Sequence, residues 1–298
     1  MSTNKNFLIC GGDLRQVKLA DSLIKDGYSV TVSGFDDKSL FNENVVFGKF
    51  CKETVNGADV IILPLPCSKD NKTINTPISN DIININELFS FVNSRAIITG
   101  GKITDEIKSL AQNYNLTVYD YLNREEMAIY NAIPTVEGAI EIAIKNTPIT
   151  IHGSKVLVLG FGRIGKLLCD RFSALGAEVT AEARKVSDLA WIKSYGYIGI
   201  PLSALSRTIG FYDVIINTVP SEILTEQLLT LVKDEALIID LASKPGGVNL
   251  EAASKLNKKV IWALSLPGAV APVTAGIIIK DTILNILDEL EATNIGTL

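Results

Sequence analysis

From Phe7 onward, short apolar runs alternate with amphipathic stretches, a pattern that predicts strands and helices taking turns around parallel sheets. Phe7–Cys10 is an apolar run halted by Gly11-Gly12-Asp13. Across Leu14–Asp26, the residues Leu14, Val17, Leu19, Leu23 and Ile24 recur close to helical spacing, and Gly27 supplies the stop. Strands follow at Ser29–Ser33, at Asp59–Leu63 (halted by Pro64 and Pro66), at Ala96–Thr99 and at Thr117–Asp120. One small α/β domain is complete by about residue 122.

Asn123 and Glu126 then read as an N-cap box opening a long helix, with an apolar face through Ile140, Ile142 and Ile144. Pro134 lies inside it and is expected to kink it. A second alternating series gives strands at Lys155–Leu159, Glu178–Ala183, Val214–Asn217, Leu237–Asp240 and Val260–Ala263. Between Val260 and Ile279 no charge occurs, but Pro267, Gly268 and Pro272 divide that stretch into a strand, a tight turn and a helix start. The last helix, about Val273 to Ala292, is expected to cross back and pack on the first domain. The predicted fold is α/β, with two doubly wound parallel-sheet domains joined by two bridging helices. The expected bounds are 1–122 with 273–298, a bridging helix over 123–146, and a second domain over 147–272.

The most specific signal is Gly160-Phe-Gly162-Arg163-Ile164-Gly165, which directly follows one predicted strand and directly precedes a helix, Lys166–Phe172. A second strand ends about twenty residues later, as a dinucleotide-binding Rossmann turn requires. Gly160 permits the tight turn, Gly162 lets a pyrophosphate approach the backbone, and Gly165 lets helix and strand pack closely. The exposed amides and helix dipole would hold the anion. An NAD enzyme usually carries an acid at the end of the second strand, and counting places that position on Ala183, followed by Arg184 and Lys185. Two cations after a small residue suit a 2′-phosphate, which favours NADP over NAD. The rival reading makes Glu182 the ribose carboxylate, although strand alternation should turn it away if Ala183 faces the pocket.

Ligands of doubly wound sheets gather at the carboxyl ends of the strands. In the second domain these are the loops Asn217–Ser221, Leu241–Gly247 and Leu266–Pro272, which add Thr218, Pro220, Ala242 and Ser243 to the expected cofactor contacts. The cations at such ends are Arg15, Lys102, Arg124 and Lys244, suited to a small anionic substrate.

Composition narrows the function classes. The 298 residues are 47% hydrophobic and 20% charged, with net charge −5 and pI near 5.1, and no basic stripe points to nucleic acid. Cys10, Cys51, Cys67 and Cys169 form no CxxC pair, which argues for a reducing compartment and against a zinc site. No signal-peptide core follows Met1, so a cytoplasmic, membrane-free protein is expected. The single histidine, His152, precedes the glycine-turn strand and reads as structural. Ser–His and Cys–His nucleophile schemes are therefore unattractive.

Several segments together resemble the A subunits of bacterial dipicolinate synthase. They are Gly11-Gly-Asp-Leu-Arg-Gln16, Ile129-Tyr-Asn-Ala-Ile-Pro-Thr-Val-Glu-Gly138, Ile151-His-Gly153 with the glycine turn, Asp240-Leu-Ala-Ser-Lys-Pro-Gly-Gly247 and Leu266–Gly276. That resemblance implies oxidation of dihydrodipicolinate to pyridine-2,6-dicarboxylate during sporulation, and as partner a flavoprotein-like B subunit. It further implies Arg15, Arg124 and Lys244 as anchors for the carboxylates of a cyclic dicarboxylate, and Glu137 or Asp240 for proton handling. More distantly the layout is similar to D-2-hydroxyacid and alanine dehydrogenases. The catalytic histidine of the hydroxyacid enzymes would fall within Leu266–Pro272, where this chain has none. Two alternatives stand beside this reading: an amino-acid or opine-type dehydrogenase, and a non-catalytic cofactor-binding subunit of a hetero-oligomer. Self-association as a homo-oligomer is compatible with all three.

Overall fold

The structure, a computed structural model, describes residues 5–295. Its contacts divide the chain into two units, Met1–Tyr130 with Ala271–Leu298, and Asn131–Val270.

The first unit holds strands β1 (Asn6–Cys10), β2 (Ser29–Ser33), β3 (Val46–Phe47), β4 (Val60–Ile62), β5 (Ile97–Gly100) and β6 (Val118–Asp120). All pair in parallel in the order β3-β2-β1-β4-β5-β6. Its helices are α1 (Leu14–Lys25), α2 (Lys52–Asn56), α3 (Ile85–Phe91), α4 (Asp105–Gln112) and the first turns of α5 (Glu125–Asn146). Helix α1 opens with a reciprocal cap in which Asp13 and Gln16 satisfy each other's backbone amides. Val17, Leu19, Ala20 and Leu23 then bury one face, each fully buried Leu or Val contributing about 1.5–3 kcal/mol.

The second unit holds β7 (Lys155–Leu159), β8 (Glu178–Glu182), β9 (Ile198–Ile200), β10 (Val214–Asn217), β11 (Leu237–Asp240) and β12 (Lys259–Trp262). These are parallel in the order β12-β11-β10-β7-β8-β9. Helices α6 (Arg163–Ala174), α7 (Val186–Ser194), α8 (Leu205–Thr208), α9 (Glu226–Leu229), α10 (Leu250–Lys255) and α11 (Leu266–Val270) cover its faces. Both sheets have the doubly wound 3-2-1-4-5-6 order.

The final helix, α12 (Pro272–Ile295), packs on α1 within the first unit. Gly276 permits this, because a Cβ there would lie 2.6 Å from the Arg15 carbonyl oxygen and 2.8 Å from the Leu19 amide nitrogen. Ile279, Ile283 and Leu287 bury the interface, and Lys280 pairs with Asp26 at the end of α1.

Three local expectations are corrected. Strands β3 and β9 were absent from the sequence pattern, since they are two- and three-residue strands at the sheet edges, where alternation has no length in which to register. Asn123 does not cap α5. It ends a 3-10 turn, Tyr121–Asn123, while the Glu126 carboxylate accepts from Arg124 Nε at 2.8 Å. Pro134 lies inside α5, as its place in the sequence implies, and the contact boundary between the units falls at Tyr130–Asn131 within that helix. The turn after β12 contains the short helix α11.

Candidate nucleotide site

The chain after β7 turns sharply at Gly160, whose φ of +90° favours glycine; a Cβ there would lie 2.7 Å from Thr218 Oγ1. Gly162 caps α6 in extended conformation, and a Cβ on it would meet nothing within 4 Å. Gly165 is the reverse case, since a Cβ would collide with the Gly160 carbonyl oxygen. The turn therefore presents open backbone at its middle glycine and close packing at the third, as a pyrophosphate cradle requires.

The first unit has a similar turn after β1, but its own chain covers it. Gly12 donates its amide to the Asn75 carbonyl at 2.9 Å, and a Cβ on Gly11 would lie 2.8 Å from Thr76 Cγ2. Of these two turns, the one in the second unit leaves space for phosphates.

That space opens into a cavity of about 270 Å³ at the switch point between β7 and β10. Gly160, Phe161 and Gly162 form one wall, Glu182 to Lys185 with Asp188 a second, and Thr218 to Pro220 a third. Thr218 is tied down by its hydroxyl, which donates to the Leu159 carbonyl at 2.8 Å. Arg184 and Lys185 are exposed at the rim. Among the expected cofactor residues, Arg163 and Ile164 stand in the first turn of α6, whereas Ala242 and Ser243 lie on the loop after β11 rather than in the cavity wall. Phe161, Asp188 and Val219 went unnamed in the sequence. Phe161 and Val219 could have been taken as neighbours of named positions, but nothing local marks Asp188.

Glu182 requires a correction. It lines the cavity together with Ala183, although alternation was expected to turn it away. Alternation fixes only the direction of Cβ, and Glu182 is the last residue of β8, at the carboxyl end where the cavity opens. The residue is 1% exposed, and its Oε1 has no hydrogen-bond partner. Burial pushes the carboxyl above the usual carboxylate range, against the opposing Gly160 amide and the Arg184 charge.

Two of the expected chemical residues are otherwise engaged. Asp240 is buried, and its oxygens accept from Asn217 Nδ2 at 2.8 Å, Ala242 N–H at 3.0 Å and Gly247 N–H at 2.8 Å. It organises the ends of β10 and β11, with its oxygens already engaged by these donors. Arg124 donates through Nε to Glu126 and through Nη1 and Nη2 to Glu289 at 2.8 and 2.5 Å. Those hydrogen bonds to Glu289 and Glu126 raise its pKa further and tie α5 to α12 through Arg124, so the proposed anchor is engaged in this structure.

Arg15 is 7% exposed, held through Nε and Nη2 by Asp13 and by the Leu65 carbonyl, and its Nη1 bonds no other described residue. Lys244 and Glu137 are exposed, on the loop after β11 and on α5. Burial pushes the thiols of Cys10, Cys67 and Cys169 up to about 12, which leaves them poor nucleophiles. Among the described residues no group of side chains could hold a metal ion, and no helix is long and apolar enough to cross a membrane.

Comparison with known proteins agrees with this division. Residues 6–122 match the N-terminal domain of the dipicolinate synthase A subunit, and residues 131–253 match the NAD-binding domain of D-isomer specific 2-hydroxyacid dehydrogenases. The A subunit of dipicolinate synthase from Bacillus subtilis is 33% identical over 98% of this chain and 99% of its own. The chain belongs to the family of dipicolinate synthase A subunits. The crystal structure of the Bacillus halodurans member superposes with a TM-score of 0.88 at 33% identity, covering 95% of this chain and 97% of that one. A transhydrogenase from Sinorhizobium meliloti, 16% identical with a TM-score of 0.68 over 95% of this chain and 94% of its own, shares the fold. This member of the dipicolinate synthase family is an oxidoreductase of the NAD(P)-dependent dehydrogenase class, with its nicotinamide dinucleotide domain in the second unit.

Proposed function

We propose that this chain oxidises dihydrodipicolinate to dipicolinate with NADP, as the A subunit of a two-component synthase. The observation that carries the reading is likeness over nearly the full length to a protein of that name, joined to a cavity whose rim bears Arg184 and Lys185. The bound cofactor supplies the hydride acceptor. The substrate ring loses one hydride and one proton, and aromaticity drives the step, so the products are dipicolinate, NADPH and a proton. Such chemistry needs positioning and a modest base more than a histidine. Lys244 is the proposed anchor for a carboxylate, and Glu137 is the proposed proton acceptor, both carried by the second unit.

The test follows NADPH absorbance with freshly prepared dihydrodipicolinate, with and without a B subunit. NADPH should appear with substrate and not without it, and the B subunit should increase the rate. No NADPH under either condition would overturn the reading.

Arg184→Ala tests the cofactor. A charge-assisted hydrogen bond contributes about 1.5–3 kcal/mol, so NADP affinity should fall roughly ten- to hundred-fold while NAD affinity changes little. Equal losses for both cofactors would remove the 2′-phosphate assignment.

A further inference from the structure

Lys244 stands on a turn whose ends are buried and whose middle is not. Ser243, Lys244 and Pro245 are exposed, while Ala242, Gly246 and Gly247 are buried. The turn closes through the Gly246 amide, which donates to the Ser243 carbonyl at 2.8 Å. Its feet are tied to the rest of the second unit. Asp240 accepts the amides of Ala242 and Gly247, and the Gly247 carbonyl accepts from the amides of Ile223 and Leu224, both at 3.0 Å. Those bonds fix where the loop leaves β11 and where it rejoins the core, but none of them acts on residues 243–246.

Trp262 does. It ends the edge strand β12, opposite Asp240 in the register of β11 and β12. Its indole N–H donates to the Ala242 carbonyl at 2.9 Å, and its ring lies against Gly246. A Cβ on Gly246 would stand 3.3 Å from Trp262 Cζ2 and 3.4 Å from Cε2, and the φ of +90° there favours glycine as well. One side chain from the neighbouring strand thus holds both shoulders of the turn. Only tryptophan combines so large a flat ring with an N–H donor on its edge. Trp262 is not among the residues lining the nucleotide cavity, so these contacts bear on the turn and not on the cofactor.

We propose that Trp262 is a positioning residue for the substrate: its indole holds the turn 243–246 so that Lys244 is presented, already ordered, to a carboxylate at the carboxyl end of β11. This rests on Lys244 being the carboxylate anchor.

An anchor on a loose turn must be ordered when the substrate binds, which weakens binding; a turn held beforehand avoids that loss. Weakening the hold therefore acts on substrate binding more than on the hydride step, and it acts only through Lys244.

The experiment measures KM and kcat for dihydrodipicolinate, NADP affinity and the thermal midpoint for wild type, Trp262→Phe, Lys244→Ala and the double variant. Trp262→Phe keeps an aromatic ring and loses the donor. We expect its KM to rise about two- to tenfold, with kcat and NADP affinity near wild type, and no further rise when it is added to Lys244→Ala. A merely structural role would lower the midpoint without moving KM. An unchanged KM in Trp262→Phe beside a raised one in Lys244→Ala would overturn the proposal and leave the anchor standing, as would rises that add in the double variant. An unchanged KM in Lys244→Ala would overturn both. Should Trp262→Phe not fold, Trp191→Phe leaves Trp262 as the sole tryptophan of the 298 residues. Dipicolinate should then shift the Trp262 emission. Emission unmoved at saturation, with binding confirmed by calorimetry, would overturn the proposal; no binding at all would overturn the anchor with it.

Discussion

Gly162→Val is expected to abolish binding of both dinucleotides, a loss above about a hundred-fold, while the fold stays intact. The substitution meets no protein atom, because a Cβ there has nothing within 4 Å, and the residue's extended backbone (φ −82°, ψ −160°) accepts a β-branched side chain. What the valine methyls would occupy is the place from which a pyrophosphate reaches the amides at the start of α6. Circular dichroism should therefore match wild type while cofactor titration shows no saturation. Retained affinity would mean that the phosphates sit elsewhere; a melted protein would mean that the glycine serves packing. Gly165 should behave in the opposite way, since any side chain there drives into the Gly160 carbonyl.

Asp240→Ala should cost stability rather than chemistry. It would strip acceptors from the Asn217 side chain and from the amides of Ala242 and Gly247, all inside the second unit. Each buried donor left without a partner costs about 1–3 kcal/mol, so a total of about 3 kcal/mol or more is expected. Urea unfolding should show a lowered midpoint with little change in slope. A variant of wild-type stability that had lost only turnover would restore Asp240 to the chemical step.

Much of the fold was legible because the sequence writes it locally. Five-residue strands such as the apolar Lys155–Leu159 and the alternating Ser29–Ser33, punctuated by glycine, are specified as parallel strands by their own residues. The glycine turn was legible for the same reason: each glycine answers a backbone demand made by residues a few positions away. Full-length motif likeness supplied the family. The short edge strands β3 and β9 were not legible, because two or three half-exposed residues acquire strand geometry only from the neighbour that pairs with them.

Charged side chains were the least readable part, and the reason is physical. A carboxylate or guanidinium is defined by its partners, and those come from far along the chain: Glu289 for Arg124, Asn217 for Asp240. Sequence could name these as ionisable groups at strand ends or beside helix starts, but only the tertiary structure decided which were already engaged. The same holds for Glu182, whose position at the end of β8 was countable, while its burial and its unpartnered oxygen depend on how β7, β9 and the loop after β10 close around it.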